Sequence, residues 1–341
     1  MKRMRTQDAV GQVLCHDVTQ IIPGVTKDAV FRKGHIIAPE DIPVLLSVGK
    51  DHVYIWENNE NMLHEDQAAQ VLRDICQGQY MEATQPKEGK IELIAQTEGL
   101  FLADIQRLRA VNALGEMMIA TRPSGSVVKK GDKLCGTRVI PLVIEKEKME
   151  RARRAAGETP LLRLAPLKKK RYGLVTTGNE VFYGRIEDKF TPVVVEKLAE
   201  FGCQMAAHQV LSDDHLQITQ AIRRMLDQGC DMVLCTGGMS VDPDDRTPLA
   251  IANAGARVVS YGAPVLPGAM FLAAYMPDGR PVCGLPGCVM YAKRTVFDLA
   301  LPYLLADVPV TAQWLAGLGN GGLCLNCPEC HYPNCGFGKG S

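Results

Sequence analysis

The second half of the sequence alternates between short apolar runs and amphipathic segments, and this pattern restricts the fold more than any other feature. The apolar runs are 173–176, 204–210, 231–235 and 281–284. Between the second and third runs, Ile218, Ile222 and Met225 fall on one helix face. Strand–helix alternation is typical of a parallel sheet covered by helices. The sequence therefore predicts an α/β fold with a mostly parallel sheet, and a long helix from Val289 to Leu305 is expected after the last strand.

Composition and charge narrow the class of protein. A chain of 341 residues is long enough for two or three domains with separate cores. Lys plus Arg and Asp plus Glu each number 38, and this neutrality argues against a protein that binds nucleic acid or a membrane surface. The basic start (Lys2, Arg3, Arg5) leads into polar residues rather than an apolar run, and no stretch is apolar over the length of a membrane span. We therefore expect a cytoplasmic protein.

The residues that precede the alternating half predict smaller α+β modules. A helix over 39–48, a strand over 52–56 and an amphipathic helix within 60–80 are expected first. Further on, residues 139–144 are expected to form a strand, and the charged run 145–154 is expected to be a solvated helix face. The expected domains are 1–82 (N-terminal α+β module), 83–165 (small α+β module and linker), 166–310 (ligand-binding α/β domain) and 311–341 (Cys-rich tail).

Three loops rich in glycine and small hydroxyl residues follow predicted strands. They are Thr176-Thr177-Gly178-Asn179-Glu180, Thr236-Gly237-Gly238-Met239-Ser240 and Leu285-Pro286-Gly287-Cys288, here called the first, second and third loops. Ligands of open parallel sheets sit beyond the carboxyl ends of the strands, where glycine lets backbone N–H groups approach a phosphate. Any one loop is explained as a tight turn that needs glycine for steric reasons. Three at corresponding strand ends favour an anionic ligand.

An acidic segment follows the second loop, and it places Asp242, Asp244 and Asp245 within four residues. Helix capping is the ordinary role of such residues, but Thr247 alone would fill it. Beside a phosphate, these carboxylates would repel the ligand unless a cation lay between them. Mg²⁺ is the expected cation because it bridges carboxylates and phosphates, and Asp188 in the first strand–helix connection is placed to join them.

In combination, these elements resemble the molybdopterin-binding domain of the molybdopterin molybdenumtransferase family. The matching elements are Thr177-Gly178-Asn179-Glu180 with Asp188 before a helix, Thr236-Gly237-Gly238-Met239-Ser240 with a trailing Asp, and Leu285-Pro286-Gly287. Asp245-Arg246-Thr247-Pro248 is similar to the Asp-x-Thr-Pro element of the related adenylyltransferase branch. The resemblance covers residues 170 to 305, and the segment 131–142 looks like an upstream module of divergent members.

The resemblance implies a three-layer α/β sandwich, a phosphorylated or adenylated molybdopterin as ligand, and a role in molybdenum-cofactor biosynthesis. In that family Mg²⁺ and molybdate meet the adenylated pterin, AMP is cleaved off, and the metal enters the dithiolene. It also implies a homodimer, with a molybdoenzyme or another protein of cofactor biosynthesis as partner. Carried over residue by residue, the substrate-binding set is Thr177, Gly178, Asn179, Glu180, Thr236, Gly237, Gly238, Ser240, Pro286 and Gly287. Asp188 and Asp245 would be catalytic, and Asp242 and Asp245 would hold the cation.

Two departures from the family pattern fall where molybdate handling is expected. Ala269 stands where transferases carry the lysine of Pro-Gly-Lys-Pro, and Cys288 stands for the Asn of Leu-Pro-Gly-Asn. The alternative is therefore a non-catalytic protein that binds, carries or senses the cofactor. Cys288 itself is either a buried thiol or a thiolate whose pKa a helix N-terminus lowers.

Four of the twelve cysteines crowd into the C-terminal tail, and they suggest a metal site. Cys324, Cys327, Cys330 and Cys335 have the spacing C-x2-C-x2-C-x4-C. In a reducing compartment such thiolates converge on Zn²⁺ or an iron–sulfur cluster, although a flexible tail with redox-prone thiols is the metal-free alternative. His331 is a candidate ligand that we interpret as a bystander. The remaining cysteines are expected to be small buried hydrophobes.

Overall fold

The structure of the chain is a computed structural model that describes residues 2–22, 26–55, 60–240, 242 and 245–340. Its strands are, in chain order, β1 (Lys2–Arg5), β2 (Val18–Ile22), β3 (Thr26–Phe31), β4 (His52–Ile55), β5 (Met62–His64), β6 (Met81–Ala83), β7 (Lys90–Ala95), β8 (Gly99–Ala103), β9 (Met117–Thr121), β10 (Ser126–Val128), β11 (Lys133–Val139), β12 (Val143–Glu145), β13 (Leu162–Pro166), β14 (Arg171–Thr177), β15 (Gln204–Leu211), β16 (Met232–Thr236), β17 (Arg257–Tyr261), β18 (Leu272–Tyr275) and β19 (Pro281–Leu285). Its α-helices are α1 (Asp41–Ser47), α2 (Glu65–Cys76), α3 (Ile105–Asn112), α4 (Lys146–Ala156), α5 (Asn179–Phe182), α6 (Phe190–Ala199), α7 (His215–Asp227), α8 (Thr247–Asn253), α9 (Val296–Leu305) and α10 (Ala312–Gly317). Across the described ranges, no helix combines the length and the apolar character needed to cross a membrane.

The chain divides into two compact units, and the first holds the smaller α+β elements. It comprises residues 1–96, 103–122 and 130–163. Its main sheet is antiparallel, with the strand order β6-β7-β11-β9, and α2 packs on β7 and β11 through a face that buries Leu72. The helix expected within 60–80 is thus present as α2.

Two strand predictions for the first unit need qualification. The strand expected over 52–56 is observed as β4, while Trp56 lies outside the described residues. The single strand expected over 139–144 is wrong. The chain leaves the sheet at Val139 and re-enters strand structure only at β12, because Pro141 has no N–H to donate to a sheet ladder.

The second unit contains a six-stranded, mostly parallel sheet, which confirms the predicted α/β class. It comprises residues 97–102, 123–129 and 164–341. The strand order is β15-β14-β16-β19-β18-β17, and the pairs β15–β14, β14–β16 and β16–β19 are parallel. Strand β18, which the sequence pattern missed, runs antiparallel to both of its neighbours. Every residue of β16 and β19 is buried, as expected for central strands covered on both faces.

Helices cover both faces of this sheet. Alternate residues of β14 point to opposite sides, so Leu174 packs into a core shared with α6 and α9, and Val175 packs into a core shared with α7 and α8. The sheet is therefore the middle layer of a three-layer sandwich, as the family resemblance implied. Helix α10 and the tail residue Phe337 also pack into the first of these cores. The division into four domains stays a prediction.

Two helix starts differ from their predictions. The long helix expected from Val289 to Leu305 is wrong: a 3-10 turn over Gly287–Met290 ends, and α9 begins separately with Thr295 as its N-cap. Thr295 and Asp298 form a capping box, which fixes the start of α9 at that point. From the sequence, Thr191 followed by Pro192 is expected to cap the helix after the first strand, but Asp188 accepts the hydrogen bonds from the first backbone N–H groups of α6 instead.

A buried carboxylate, Asp298, joins α6 to the start of α9. Its Oδ1 accepts hydrogen bonds from Lys197 Nζ at 2.6 Å and from Arg294 Nη1 at 2.9 Å. Its Oδ2 accepts from the backbone N–H of Thr295 at 2.7 Å. The side chains of Lys197 and Asp298 are only 9% and 3% exposed. Removing the carboxylate would leave a buried ammonium without its anion, which is costly.

We predict that Asp298→Ala lowers the free energy of unfolding by about 3 kcal/mol or more, because Lys197 then stays buried without its partner. Urea denaturation of the full chain measures the loss. The matched control is Asp278→Ala, which breaks a half-exposed ion pair with Arg280 and should cost about 1 kcal/mol or less. Equal losses in the two variants would contradict this role of Asp298.

Candidate functional site

The carboxyl ends of three neighbouring parallel strands lie side by side, and each leads into one of the three loops. Thr176 of β14 is paired with Thr236 of β16, which is paired with Leu285 of β19. The order β14-β16-β19 therefore brings the first, second and third loops to one edge of the sheet.

The first and second loops touch each other directly at their glycines. Gly237 and Gly238 have φ values of +82° and +56°. A Cβ on Gly237 would lie 2.1 Å from the carbonyl oxygen of Thr177, and one on Gly238 would lie 2.7 Å from Thr247 Oγ1. Both glycines are thus required by the packing of the two loops, whether or not a ligand also needs them.

Thr247 at the start of α8 holds this contact in place. Its hydroxyl donates to the carbonyl oxygen of Gly237 at 3.0 Å and lies 3.3 Å from Thr177 Oγ1. Its backbone N–H donates to the carbonyl oxygen of Gly238. The buried Thr247 therefore bridges the two loops by hydrogen bonds, rather than acting as the helix cap that its position in the sequence suggested.

Asp245 lies against the second loop. Its Oδ2 accepts a hydrogen bond from the backbone N–H of Ser240 at 3.0 Å, and its own N–H donates to the carbonyl oxygen of Asp242 at 3.0 Å. Asp242 is exposed and Asp245 is half-buried. Pro243 and Asp244 of the same acidic segment lie outside the described residues. Two of the predicted carboxylates are therefore at the loop edge.

Asp188 has a structural task that the sequence did not reveal. Its Oδ1 accepts from the N–H groups of Phe190 and Thr191, and its Oδ2 accepts from the Thr191 hydroxyl at 2.5 Å. Thr191 Oγ1 in turn lies 3.1 Å from the hydroxyl of Thr176 and 3.2 Å from Nε2 of His208. Both carboxylate oxygens thus hold the start of α6, and Thr191 connects Asp188 to the base of the first loop.

Three residues that sequence reasoning missed also contact the loops. Asp213 Oδ2 accepts the backbone N–H of Asn179 in the first loop at 2.9 Å. The hydroxyl of Tyr261 donates to the carbonyl oxygen of Met239 in the second loop, and His208 contacts Thr176. The sequence could have indicated Asp213 as a site residue, because it follows the carboxyl end of β15, the strand next to β14. Tyr261 on an edge strand gives no such signal.

Met239 of the second loop packs against β19 just before the third loop begins. A Cβ on Gly284 would lie 2.4 Å from the Met239 sulfur, so the glycine makes room for that side chain beneath the loop. Pro286 is buried, while Gly287 is exposed with open space around it. Burial raises the pKa of the half-buried Cys288 thiol, which favours the buried-thiol alternative for this residue.

The buried hydroxyl of Thr236 has no hydrogen-bond partner among the described residues. Thr236 is the last residue of β16, directly before the second loop, and its side chain is fully buried. An unsatisfied buried hydroxyl costs about 1–3 kcal/mol. Stability alone therefore does not explain why a hydroxyl group lies at the end of β16.

The four tail cysteines lie in the second unit. Their side chains line one common cavity. All four are free thiols. Within the part of the chain that the structure describes, no group of three His, Cys, Asp or Glu side chains is placed to hold a metal ion. This holds both for the tail and for the described carboxylates of the loop edge.

We predict that Gly237→Ala lowers the free energy of unfolding by about 2 kcal/mol or more, because the new Cβ meets Thr177 in a left-handed backbone conformation. Gly287→Ala is the matched control in the third loop. It should change stability by about 0.5 kcal/mol or less, because no atom lies within 4 Å of the added Cβ. A tolerated Gly237→Ala would contradict the contact between the loops.

We predict that Thr236→Val stabilises the ligand-free protein by up to about 1 kcal/mol, because it replaces an unpartnered hydroxyl with a methyl group of similar shape. Thr219→Val is the control, since the Thr219 hydroxyl donates to the carbonyl oxygen of His215 at 2.7 Å, with that of Ala250 as a second acceptor at 3.1 Å. That change should destabilise by about 1 kcal/mol. Thermal unfolding compares the two, and a loss of stability in Thr236→Val equal to that of the control would overturn the prediction.

Comparison with known proteins gives two family matches. Residues 173–306 match the family described as "Probable molybdopterin binding domain", and residues 3–57 match a domain of unknown function, DUF8806. The molybdopterin molybdenumtransferase of Synechococcus elongatus is 26% identical over 196 residues, which are 54% of this chain and 46% of that protein. A CinA-like protein of Mycobacterium tuberculosis is 34% identical over 83 residues, which are 24% of this chain and 19% of that protein.

The aligned part of the chain thus spans less than half of either curated relative. Among solved structures, the molybdopterin biosynthesis enzyme MoaB from Thermus thermophilus aligns with a TM-score of 0.37 at 24% identity, over 42% of this chain and 98% of that chain. The family match covers the sheet from β14 to α9, including all three loops. Over residues 173–306, the chain is thus similar to the molybdopterin-binding domain family.

Proposed function

We propose that the loop edge binds a phosphorylated, adenylated molybdopterin and that the protein inserts molybdate into it during molybdenum-cofactor biosynthesis. The observation that carries this proposal is the direct contact of the first and second loops at Thr177 and Gly237, with Asp245 bonded to the second loop. A phosphate bound at this edge would lie close to both the loop backbone and the Asp245 carboxylate. The expected partner is a molybdoenzyme or another protein of cofactor biosynthesis, and the expected form is a cytoplasmic homodimer.

The loops offer the kinds of donor that such a ligand needs. Ser240 is exposed beside the acidic segment, and Asn179 is half-buried at the start of α5. Gly287 is open to solvent, so the backbone of the third loop is accessible to a ligand group. Backbone N–H groups and small hydroxyls of this kind bind phosphate oxygens. We assign the pterin phosphate and the adenylate to these three loops together.

The carboxylates of Asp242 and Asp245 would hold Mg²⁺. Mg²⁺ keeps several waters and is bound through one or two carboxylates plus substrate phosphates, so these two side chains would suffice as its protein ligands. When bound, the ion would neutralise charge on the phosphates that separate the pterin from AMP. Asp245 itself would orient the attacking water, since the Ser240 N–H fixes its carboxylate.

A second candidate is a carrier or sensor that binds the same ligand without converting it. Asp188 favours this alternative, because both of its oxygens are already hydrogen-bonded within the start of α6. Ala269 and Cys288 favour it too, because they replace the lysine and the asparagine of the transferase pattern where molybdate handling is expected. In either case we also propose a metal centre, an iron–sulfur cluster or Zn²⁺, at Cys324, Cys327, Cys330 and Cys335.

We predict that the purified full chain releases AMP from adenylated molybdopterin when molybdate and Mg²⁺ are present. Asp245→Asn should lower the rate of release by about a hundredfold or more, because the variant keeps its hydrogen bond to Ser240 but loses the charge that holds the cation. Chromatographic measurement of AMP gives the rate, and a binding assay on the same samples gives the affinity for the pterin.

Asp278→Asn is the matched control, because it makes the same charge change in the turn between β18 and β19, at the opposite edge of the sheet. It should leave the release of AMP unchanged. Tight pterin binding without AMP release would reject the transferase and support the carrier. Binding of ATP without binding of the pterin would reject both.

A further inference from the structure

Two aromatic residues that follow the first loop are open to solvent. Phe182 is the last residue of α5 and is 44% exposed, and Tyr183 comes directly after it and is 62% exposed. Ile186, a little further on, is 55% exposed, and no residue of α5 is buried. Single exposed apolar residues are normal on a protein surface, but several close together are typical of a binding surface. Three such residues lie here within five positions.

Backbone hydrogen bonds fix these aromatic residues to the first loop. The N–H of Phe182 donates to the carbonyl oxygen of Gly178 at 2.9 Å, and the N–H of Tyr183 donates to that of Asn179 at 3.0 Å. Both acceptors belong to the loop for which we propose phosphate binding. The exposed apolar surface is therefore continuous with the loop edge, and a ligand held by the first loop would lie close to it.

The rings of Phe182 and Tyr183 are nearly perpendicular, and we call the pair the aromatic corner. Their centres are 5.2 Å apart, and the angle between their planes is 78°. A third flat ring can stack on one side of such a corner while it meets the other ring edge-on, and aromatic rings prefer these two arrangements. The aromatic corner therefore suits a planar heterocycle.

Arg185 adds a positive charge beside the aromatic corner. Gly184 turns the chain with a φ of +68°, and the guanidinium carbon of Arg185 lies over the Tyr183 ring at 5.3 Å from its centre. Arg185 is exposed, and none of the ion pairs between described residues involves it. A guanidinium without an ion pair is well suited to bind phosphate, because its planar set of donors matches the phosphate oxygens.

We propose that the aromatic corner binds the adenine base of the adenylated ligand and that Arg185 binds the phosphate attached to the adenosine. This inference rests on the proposed function and adds a site for the base to it. Adenine is planar and aromatic throughout, so it stacks well on aromatic side chains. The reduced pterin contains tetrahedral carbons and is not flat. The base is therefore the better occupant of the aromatic corner.

The test is equilibrium binding of AMP to the purified full chain, with Mg²⁺ and without any pterin. Phe182→Ala and Tyr183→Ala should each weaken AMP binding by about tenfold or more, because each removes a stacking surface. Tyr183→Phe keeps the ring and should bind AMP within about twofold of the wild type. Arg185→Gln should weaken the binding of AMP more than that of adenosine, which has no phosphate.

Tyr54→Ala is the matched control, because it removes an exposed tyrosine from β4 in the first unit. It should leave AMP binding unchanged. Since α5 buries no residue, the variants of the aromatic corner should unfold at the same temperature as the wild type. The proposal is overturned if the wild type does not bind AMP, if Tyr183→Ala binds it as tightly, or if the aromatic variants change the oligomeric state instead of the affinity for AMP.

These outcomes are separable from those of the proposed function. Release of AMP from adenylated molybdopterin, with an AMP affinity that Tyr183→Ala leaves unchanged, would support the transferase and reject the adenine site. AMP binding that depends on both rings, without release of AMP from the adenylated pterin, would support the adenine site and reject the transferase. If the two alanine variants lose affinity for molybdopterin that is not adenylated, but keep their affinity for AMP, the pterin occupies the aromatic corner and the proposal is wrong.

Discussion

The close approach of Gly237 to the carbonyl group of Thr177 is the constraint on which the candidate site depends. It places the turn after β16 directly on the turn after β14, and the buried Thr247 holds the two together from the start of α8. Beside these joined turns, Asp245 accepts a hydrogen bond from the backbone N–H of Ser240 in the second loop. The neighbouring end of β19 then brings the third loop to the same edge.

The fold of the second unit could be predicted because its signals are periodic. Buried central strands give continuous apolar runs, and helices give one apolar face, so the sequence pattern led to the sheet and to its α/β class. The break between Gly287–Met290 and α9 escaped prediction because both segments are apolar. What separates them is the capping box of Thr295 and Asp298 at the start of α9. Asp298 also bonds to Lys197, 101 residues earlier in the sequence, and that contact leaves no local pattern.

The candidate site could be predicted in its location but not in its details. The rule that ligands sit beyond parallel strand ends selects the three loops from sequence alone. It does not reveal that Thr177 leaves no room for a Cβ at position 237, or that Thr247 bridges the first and second loops. Nor does it reveal that both carboxylate oxygens of Asp188 bond at the start of α6. These roles arise from distances between segments. The same is true of the tail, where the spacing predicts a metal and only the fold shows that the four thiols line one cavity.

The central claim is that the first and second loops form one ligand site with Asp245 beside it. A crystal structure of the full chain with adenylated molybdopterin and Mg²⁺ tests this most directly. The account predicts ligand phosphate oxygens within hydrogen-bond distance of backbone N–H groups from both loops, with the cation between the phosphate and the Asp245 carboxylate. A pterin bound at another face, or contacts with only one of the two loops, would contradict it.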